Sequence, residues 1–382
     1  MLNHILIRNV SLYDAKSSRF SEKKDILIEN GIITKIEKQI TPFPGWEIIE
    51  REDLCVSRGW TDCHTHLEGF DPFLSYPSLG VTRIHDAGSF GAFNYEKIHD
   101  VIARMPFPVT SYLYVGCYGV SNNELKDLSN LKAEPFYEVA NQYRGEIIGA
   151  KIRIDPRVNC DTKKSLHIAK EFAMHANLPL IVHPSRTKDS LEDILSVMEK
   201  DDVYAHTYSP VVPKLFDENG KIKKCAWEAL KRGVRFDLSH GSNNFSYDIA
   251  RRAIQQGFLT ETVSTDLHLK NYSRPGISLA GVMTKAIQAG FSVEEVLNRV
   301  IDAPLELLHI NNTHSGIAVG EIADLTIFQI VKKDILLPDS QGNVENCEIQ
   351  IKDVATVING MLHHSIDKAV VNSLYWDERN SL

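Results

Sequence analysis

Six residues of this chain have types and spacings suited to holding metal ions. The stretch RGWTDCHTHLEGF (58–70) carries His64 and His66 one residue apart, just behind Asp62. Side chains at i and i+2 of a strand share a face, so both imidazoles can enter one cavity. Alone the pair is a weak signal, because short motifs of this kind are more often surface or satisfied polar pairs. Four more candidates follow at wide intervals: Lys151 in GAKIRID, His183 in IVHPS, His206 in AHTYS and Asp266 in STDLH. Each also has an ordinary reading. Lys151 can sit at a strand edge, His183 can cap a strand before Pro184, His206 can be a hydrogen-bonded core histidine, and Asp266 can cap a turn.

The elements that must position these residues decide between the readings. The middle of the sequence alternates short apolar runs with amphipathic segments. The runs fall at 59–66, 81–88, 108–116, 147–155, 178–185, 203–209, 234–241 and 260–268. Between most of them lie helix-like stretches such as TKKSLHIAKEFAMHAN, SLEDILSVMEK, KKCAWEALKRG and YDIARRAIQQG, several followed by the Gly or Asn that commonly ends a helix. Eight strands with intervening helices over about 210 residues predict a parallel (β/α)8 TIM barrel. An open three-layer sheet is the rival, but no Gly-rich phosphate turn follows the first run. In such a barrel the chemistry sits at the C-terminal strand ends. All six residues fall there: His64 and His66 on strand one, Lys151 on four, His183 on five, His206 on six and Asp266 on eight.

The two ends of the chain have a different character. HILIRNVSLYD, KDILIENGIITKIEK and WEIIEREDLCVS read as short strands, with Asn30-Gly31 as a hairpin turn because both residues tolerate positive φ. ADLTIFQIV, NCEIQIKDVATVING and LHHSIDKAVV repeat that pattern at the far end. The expectation is a small β-sandwich domain formed from residues 1–57 and 312–382, with the barrel over 58–311. The segment 210–224 is expected to overhang the barrel mouth.

Composition narrows the function. A net charge of −8, without any basic run, argues against nucleic acid and against an anionic membrane surface as partners. The first residues lack the long apolar core of a signal peptide or anchor. Six scattered cysteines without a C-x-x-C pair read as reduced thiols, hence a cytoplasmic location. Cys63, between Asp62 and His64, faces away from the histidine pair on a regular strand and is assigned to packing.

Neutral imidazoles suit Zn²⁺ and similar divalent ions, and a carboxylate can join or bridge them. The set has the donors for two ions about 3.5–4 Å apart, the arrangement that makes hydroxide at neutral pH. A lysine ammonium cannot bind a cation. It becomes an anionic oxygen donor once CO₂ carboxylates the amine, a reaction favoured where burial lowers the pKa.

On DCHTH, GAKIRID, IVHPS, AHTYS and STDLH the sequence resembles the amidohydrolase superfamily, in its binuclear-metal branch with a carboxylated lysine. GAKIRI, FDLSHGSNNF and STDLHLKN are most similar to its amidohydrolase/deacetylase, dihydroorotase-like group. GIAVGEIADLTIF and VINGMLHH resemble the family's return into a terminal β-sandwich. Arg58 stands where Pro is common, and Ile322 where Lys is common; both positions belong to the scaffold. The resemblance implies that His64 and His66 bind the more buried metal, and His183 and His206 the more exposed one. It implies Lys151 as the bridge, and Asp266 as the ligand that takes the proton of a metal-bridging hydroxide and passes it to the leaving group.

For substrate, Arg153 lies two residues past Lys151 on the same face and can clamp a carboxylate or form a structural ion pair, for instance with Asp155. His240, Gly241 and Tyr208 are further substrate-binding candidates. His85, Asp86 and His268 are assigned supporting roles, and His363 and His364 the surface. The combined expectation is a deacetylase of N-acyl amino acids or related acyl acids, acting on a small molecule that carries a carboxylate, in a homo-oligomer. A dihydroorotase- or hydantoinase-type cyclic-amide hydrolase is the alternative, ahead of a nucleobase deaminase or a non-catalytic metal-binding relative.

Overall fold

The computed structural model describes residues 4–67, 76, 79–121, 124–211, 213–310 and 316–365. The N-terminal strands are β1 (His4–Asp14), β2 (Arg19–Phe20), β3 (Lys24–Glu29), β4 (Ile32–Glu37), β5 (Glu47–Ile49) and β6 (Leu54–Arg58). Asn30 and Gly31, both at positive φ, make the tight turn between β3 and β4. Strand β1 breaks between Ile7 and Val10, where Asn9 has φ 54° and its N–H is held by Asp25. Its first half pairs with β3 and β5, its second half with β6, so one strand feeds two layers.

The barrel strands are β7 (Trp60–Thr65), β8 (Val81–Asp86), β9 (Val109–Tyr114), β10 (Ile147–Ile154), β11 (Leu180–Pro184), β12 (Val203–Tyr204) and β13 (Arg235–Phe236). They pair in that order, and every pairing is parallel. Helices α1 (Tyr95–Ile102), α2 (Ala133–Gln142), α3 (Thr162–His175), α4 (Leu191–Val197), α5 (Lys224–Arg232) and α6 (Tyr247–Gln255) occupy the connections after β8 to β13. They begin and end as their sequences demand. Asp161 caps α3, Ser190 and Asp193 form a capping box on α4, and Gly233 at φ 92° ends α5.

The eighth run is not a regular strand, yet it closes the barrel. Thr262 bridges Asp237 and Leu267 bridges Thr65, both in the parallel sense. His240 N–H donates to Ser264 O at 3.1 Å, while Asp266 N–H donates to His64 O at 2.7 Å. Below the mouth, Cys63, Tyr112, Ile181, Val203 and Ala205 belong to strands on opposite sides of the barrel. They cluster with Leu307 and Leu308 as an apolar floor.

After the barrel come α7 (Leu279–Ala289), α8 (Val293–Ile301) and α9 (Ala303–Leu307), then β14 (Leu325–Pro338), β15 (Val344–Ile358) and β16 (Met361–His364). Strand β14 pairs antiparallel with β6, which joins the two chain ends in one nine-stranded sheet. Ile5, Ile7, Ile26, Ile28, Val56, Leu325, Ile327 and Val357 form the core between its layers. Trp60 couples sheet and barrel: fully buried, its ring lies against Phe328 and its Nε1 donates to Ser57 Oγ. The rest of the run 362–371 beyond Ser365 lies outside the described residues. No helix among the described residues is long and apolar enough to cross a membrane.

Candidate metal centre

The ligand atoms of His64, His206 and Asp266 all lie within 4.8 Å of one another, and all three residues are buried. His64 leaves β7 with Nδ1 3.3 Å from Asp237 Oδ2 and 2.9 Å from Ser239 Oγ. That leaves its Nε2 facing the cluster without a hydrogen-bond partner. His66 is fixed the same way: Nδ1 is 2.8 Å from Ser89 Oγ, Ser89 donates on to Asp86, and Nε2 lies 3.3 Å from Asp266 Oδ1. His206 gives its Nδ1–H to Ser239 O at 2.7 Å, so its Nε2 also turns inward, 2.9 Å from His183 Nδ1 and 3.9 Å from Asp266 Oδ2. In each case a partner on one ring nitrogen frees the other as a lone-pair donor.

Lys151 enters from β10, 1% exposed, and its Nζ has no hydrogen-bond partner. Burial pushes this amine down to about 8, against the pull of Asp266 and Asp86. A bare, buried lysine nitrogen beside four imidazoles is costly unless something compensates it. Burial also pushes His206 down to about 3 and holds His64 and His183 below the ordinary histidine range, with Lys151 adding to each. Neutral imidazoles are the form that binds metal. Burial alone would raise Asp266; the closeness of His66, His268, His64 and His206 outweighs it and holds its carboxyl well below the usual range. The backbone bends sharply at this centre: His206, Ser239 and Asp266 have φ of 62°, 43° and 48°. Such conformations in non-glycine residues cluster where a site is over-determined by its surroundings.

A cavity of about 310 Å³ opens above the cluster, and His66, Lys151, His183 and Asp266 reach into it. Arg153, Arg157, Arg186 and Lys270 give its walls a positive character, and Val120, Val211 and Leu269 an apolar side. Val211 belongs to the 210–224 segment, which therefore contributes to the wall of the mouth. A larger hollow of about 450 Å³, between β1–β2 and Asp302, contains none of the clustered ligands. It is a crevice of the scaffold.

Two of the four substrate candidates turn away from the cavity. Tyr208 is fully buried and spends its hydroxyl on Phe258 O and Thr260 N–H, so it does not reach the cavity. His240 also turns away: its Nδ1 bonds Gly241 O, its Nε2 takes Lys285 Nζ at 3.0 Å, and its ring stacks on Phe245. Asp237 and Ser239, two residues apart on one face, turn inward to His64, and His240 next to Ser239 takes the opposite face. Gly241 does lie at the site, as backbone: a Cβ there would sit 2.4 Å from Asp266 Oδ2. Arg153 reaches the cavity but pairs with Glu124, whereas Asp155 is bound by Arg157. Asp86 supports His66 as described, and His268 gives Nδ1 to Asp266 O while edging the cavity.

Sequence reasoning missed Asp237, Ser239, Ser89 and Glu124. Asp237 receives hydroxyls from Ser239, Thr262 and Ser264 in addition to His64, and these bonds hold it ionised against the cost of burial. The available signal was an aspartate inside the apolar run VRFDLSHG, a position that burial penalises unless the charge is used.

Closed parallel strands that gather histidines, a buried lysine and an aspartate at their C-terminal ends define a metal-dependent hydrolase of the amidohydrolase type. A deacetylase of Enterococcus faecalis is 32% identical over 320 residues, spanning 81% of this chain and 86% of its own length. The chain belongs to the amidohydrolase superfamily, in its deacetylase and dihydroorotase-like group, and is a hydrolase of carbon–nitrogen bonds in small molecules. A deacetylase of Brucella anthropi is 27% identical over 89% of this chain and 88% of its own. Among solved structures, an adenine deaminase is 29% identical with a TM-score of 0.81 over 95% of this chain and all of its own. A dihydroorotase at 24% identity shares the fold, with a TM-score of 0.85 over 95% and 98% of the two chains. No protein-family model matches the sequence.

Proposed function

We propose that this protein removes the acyl group from a small acylated acid, an N-acyl amino acid or a related acyl acid, with the help of two divalent metal ions. The observation that carries the reading is the pair of unspent donors: His64 Nε2, clustered with His206 and Asp266, and Lys151 Nζ, which borders the cavity with His66, His183 and Asp266, are both buried without partners. These residues fit divalent cations, because burial disfavours the protonated form of His64, His183 and His206 and the Asp266 carboxylate is held ionised. His64 and His66 would hold one ion, and His183 through Nδ1 with His206 through Nε2 the other. Lys151, carboxylated by CO₂, would join them. When bound, such ions, zinc first among them, lower the pKa of water to near neutrality and polarise a carbonyl oxygen.

The remaining work falls to the chain itself. Asp266 accepts the proton of the attacking water on a carboxylate oxygen and returns it to the departing nitrogen or oxygen. Its low pKa keeps it free to accept at neutral pH. Arg153 binds the substrate carboxylate. Val120, Val211 and Leu269 receive the apolar part of the substrate and exclude water from that side.

Deacylation is preferred to cyclic-amide hydrolysis because the two deacetylases align over most of both chains, while a dihydroorotase of Pelobacter propionicus aligns with 47% of this one. A hydrolysis screen over N-acetyl-D- and L-amino acids, α-acetoxy acids, dihydroorotate and hydantoins tests the reading. Asp266→Asn should abolish turnover and leave most of the metal bound. Activity confined to the cyclic amides would overturn it.

A further inference from the structure

We propose that Glu124 turns Arg153 into a fixed clamp for an anionic group, so that the enzyme selects acylated acids over their neutral counterparts. The proposal rests on the deacylase reading above and names how that site chooses its substrate.

Arg153 leaves β10 two residues beyond Lys151 and borders the cavity. Its guanidinium donates through Nε to Glu124 Oε2 at 3.1 Å, and through Nη2 to Oε1. Glu124 is 2% exposed and also accepts the Tyr114 hydroxyl at 2.6 Å and the Ser121 N–H at 3.2 Å. Both of its oxygens are therefore engaged from the protein side, and the carboxylate has no room to swing. A guanidinium has five N–H donors in a rigid plane. Glu124 takes one edge of that plane and leaves Nη1 without an acceptor among the described residues. The free edge belongs to a residue that borders the cavity, and it has the fork geometry that matches a carboxylate.

Arg157 uses the same Nε and Nη2 edge on Asp155, but its side chain is 61% exposed and its other edge meets solvent. Arg153 is closed on one side only. A buried carboxylate is costly to desolvate, and its four donors make sense as a device that sets the orientation of a cation. The surroundings favour an anion as well. Arg186 and Lys270 edge the same cavity and have no carboxylate partner among the described residues, in a chain whose net charge is −8. The ligand class this chemistry recognises is an α-acylated carboxylic acid, with its carboxylate on the β10 side and its acyl carbonyl toward the metal ligands.

The test compares an N-acetyl amino acid with its neutral carboxamide, using the metal-loaded full chain. Wild type should prefer the acid by about 10- to 100-fold in kcat/KM, the worth of a charge-assisted pair. Glu124→Gln keeps the shape of the residue but releases the guanidinium, and should lower that preference at least tenfold, through KM more than kcat. Arg153→Lys retains the charge without the fork and should lose most of the preference; it decides the matter if Glu124→Gln does not fold. Equal turnover of acid and carboxamide by wild type would overturn the proposal. So would a Glu124→Gln enzyme that loses both substrates by the same factor, or an unchanged preference in Glu124→Gln together with its loss in Arg186→Met. If wild type deacylates nothing in the screen, the deacylase reading fails. The clamp is then judged by calorimetric titration with the free amino acid and its carboxamide, where wild type should favour the acid and Glu124→Gln should not.

Discussion

Removing CO₂ should prevent the metal centre from assembling, and the pH dependence of its recovery can be worked from Lys151. Burial lowers this amine from 10.5 to about 8, while Asp266, Asp86 and Asp237 pull it upward and Arg153 pushes it down. Only the neutral amine attacks CO₂. Below pH 8 the neutral fraction exceeds that of an ordinary lysine by a factor of about 300, the antilogarithm of the 2.5-unit difference. The sign follows directly: protons compete with CO₂ for the nitrogen, so carboxylation speeds up as pH rises and levels off once the amine is neutral. Protein stripped of metal and CO₂, then given zinc and a fixed concentration of dissolved CO₂, should regain metal about tenfold faster per pH unit between 6 and 7, and reach a plateau above about 8. Metal per chain follows by elemental analysis. Carbon-13 NMR with labelled bicarbonate should reveal a protein carbamate that Lys151→Met lacks, and Lys151→Met should bind fewer ions. Full metal uptake in CO₂-free buffer, a plateau only near pH 10.5, or two tightly held ions in Lys151→Met would each refute the reasoning.

Three more expectations concern single residues. Asp237→Asn keeps the shape but weakens the acceptor that orients His64, so metal affinity measured by chelator competition should fall about 10- to 100-fold; unchanged affinity would mean that Ser239 alone orients the ring. Gly241→Ala places a methyl group 2.4 Å from Asp266 Oδ2 and 2.9 Å from Asn244 Nδ2 at a φ of +55°. It should cut kcat at least tenfold, since displacements near 1 Å can cost about 100-fold, while metal content stays close to normal. Trp60→Ala empties the contact between the first barrel strand and the terminal sheet and should cost about 3–5 kcal/mol, seen as a lower denaturation midpoint. A midpoint within error of wild type would show that the sheet packs on the barrel independently of this ring.

The fold was largely legible. Regular periodicity marked β7 to β11 and α3 to α6, because parallel strands buried on both faces read as apolar runs and amphipathic helices end at recognisable caps. Asn30-Gly31 announced its hairpin through backbone preference alone. The long hairpin of β14 and β15 was legible as strands but not in its reach. Ser340 at its tip bonds Phe245, and Tyr247 donates to Leu337 O, so the terminal sheet buttresses the segment beside the cavity wall. Nothing in a local window signals a contact across nearly a hundred residues.

For the site, residue type and strand position named His64, His66, Lys151, His183, His206 and Asp266 as candidates, and the structure brings ligand atoms of His64, His206 and Asp266 within 4.8 Å of one another. A metal site needs particular atoms, and the barrel's rule of strand ends says where they must be. Side-chain direction was a different matter. His240 was chosen because it ends strand seven, but its ring turns to Lys285 while Asp237 and Ser239, on the other face, stand behind His64. Tyr208 was placed by its proximity to His206, yet its hydroxyl belongs to Phe258 and Thr260 in the core. Whether Arg153 is clamp or ion pair could not be read from GAKIRID, because its partner Glu124 sits on another strand's loop. The sequence by itself determined which atoms are available and at which strand ends. Only the tertiary structure decided where each one points, because backbone bends and partners distant in the chain set that direction.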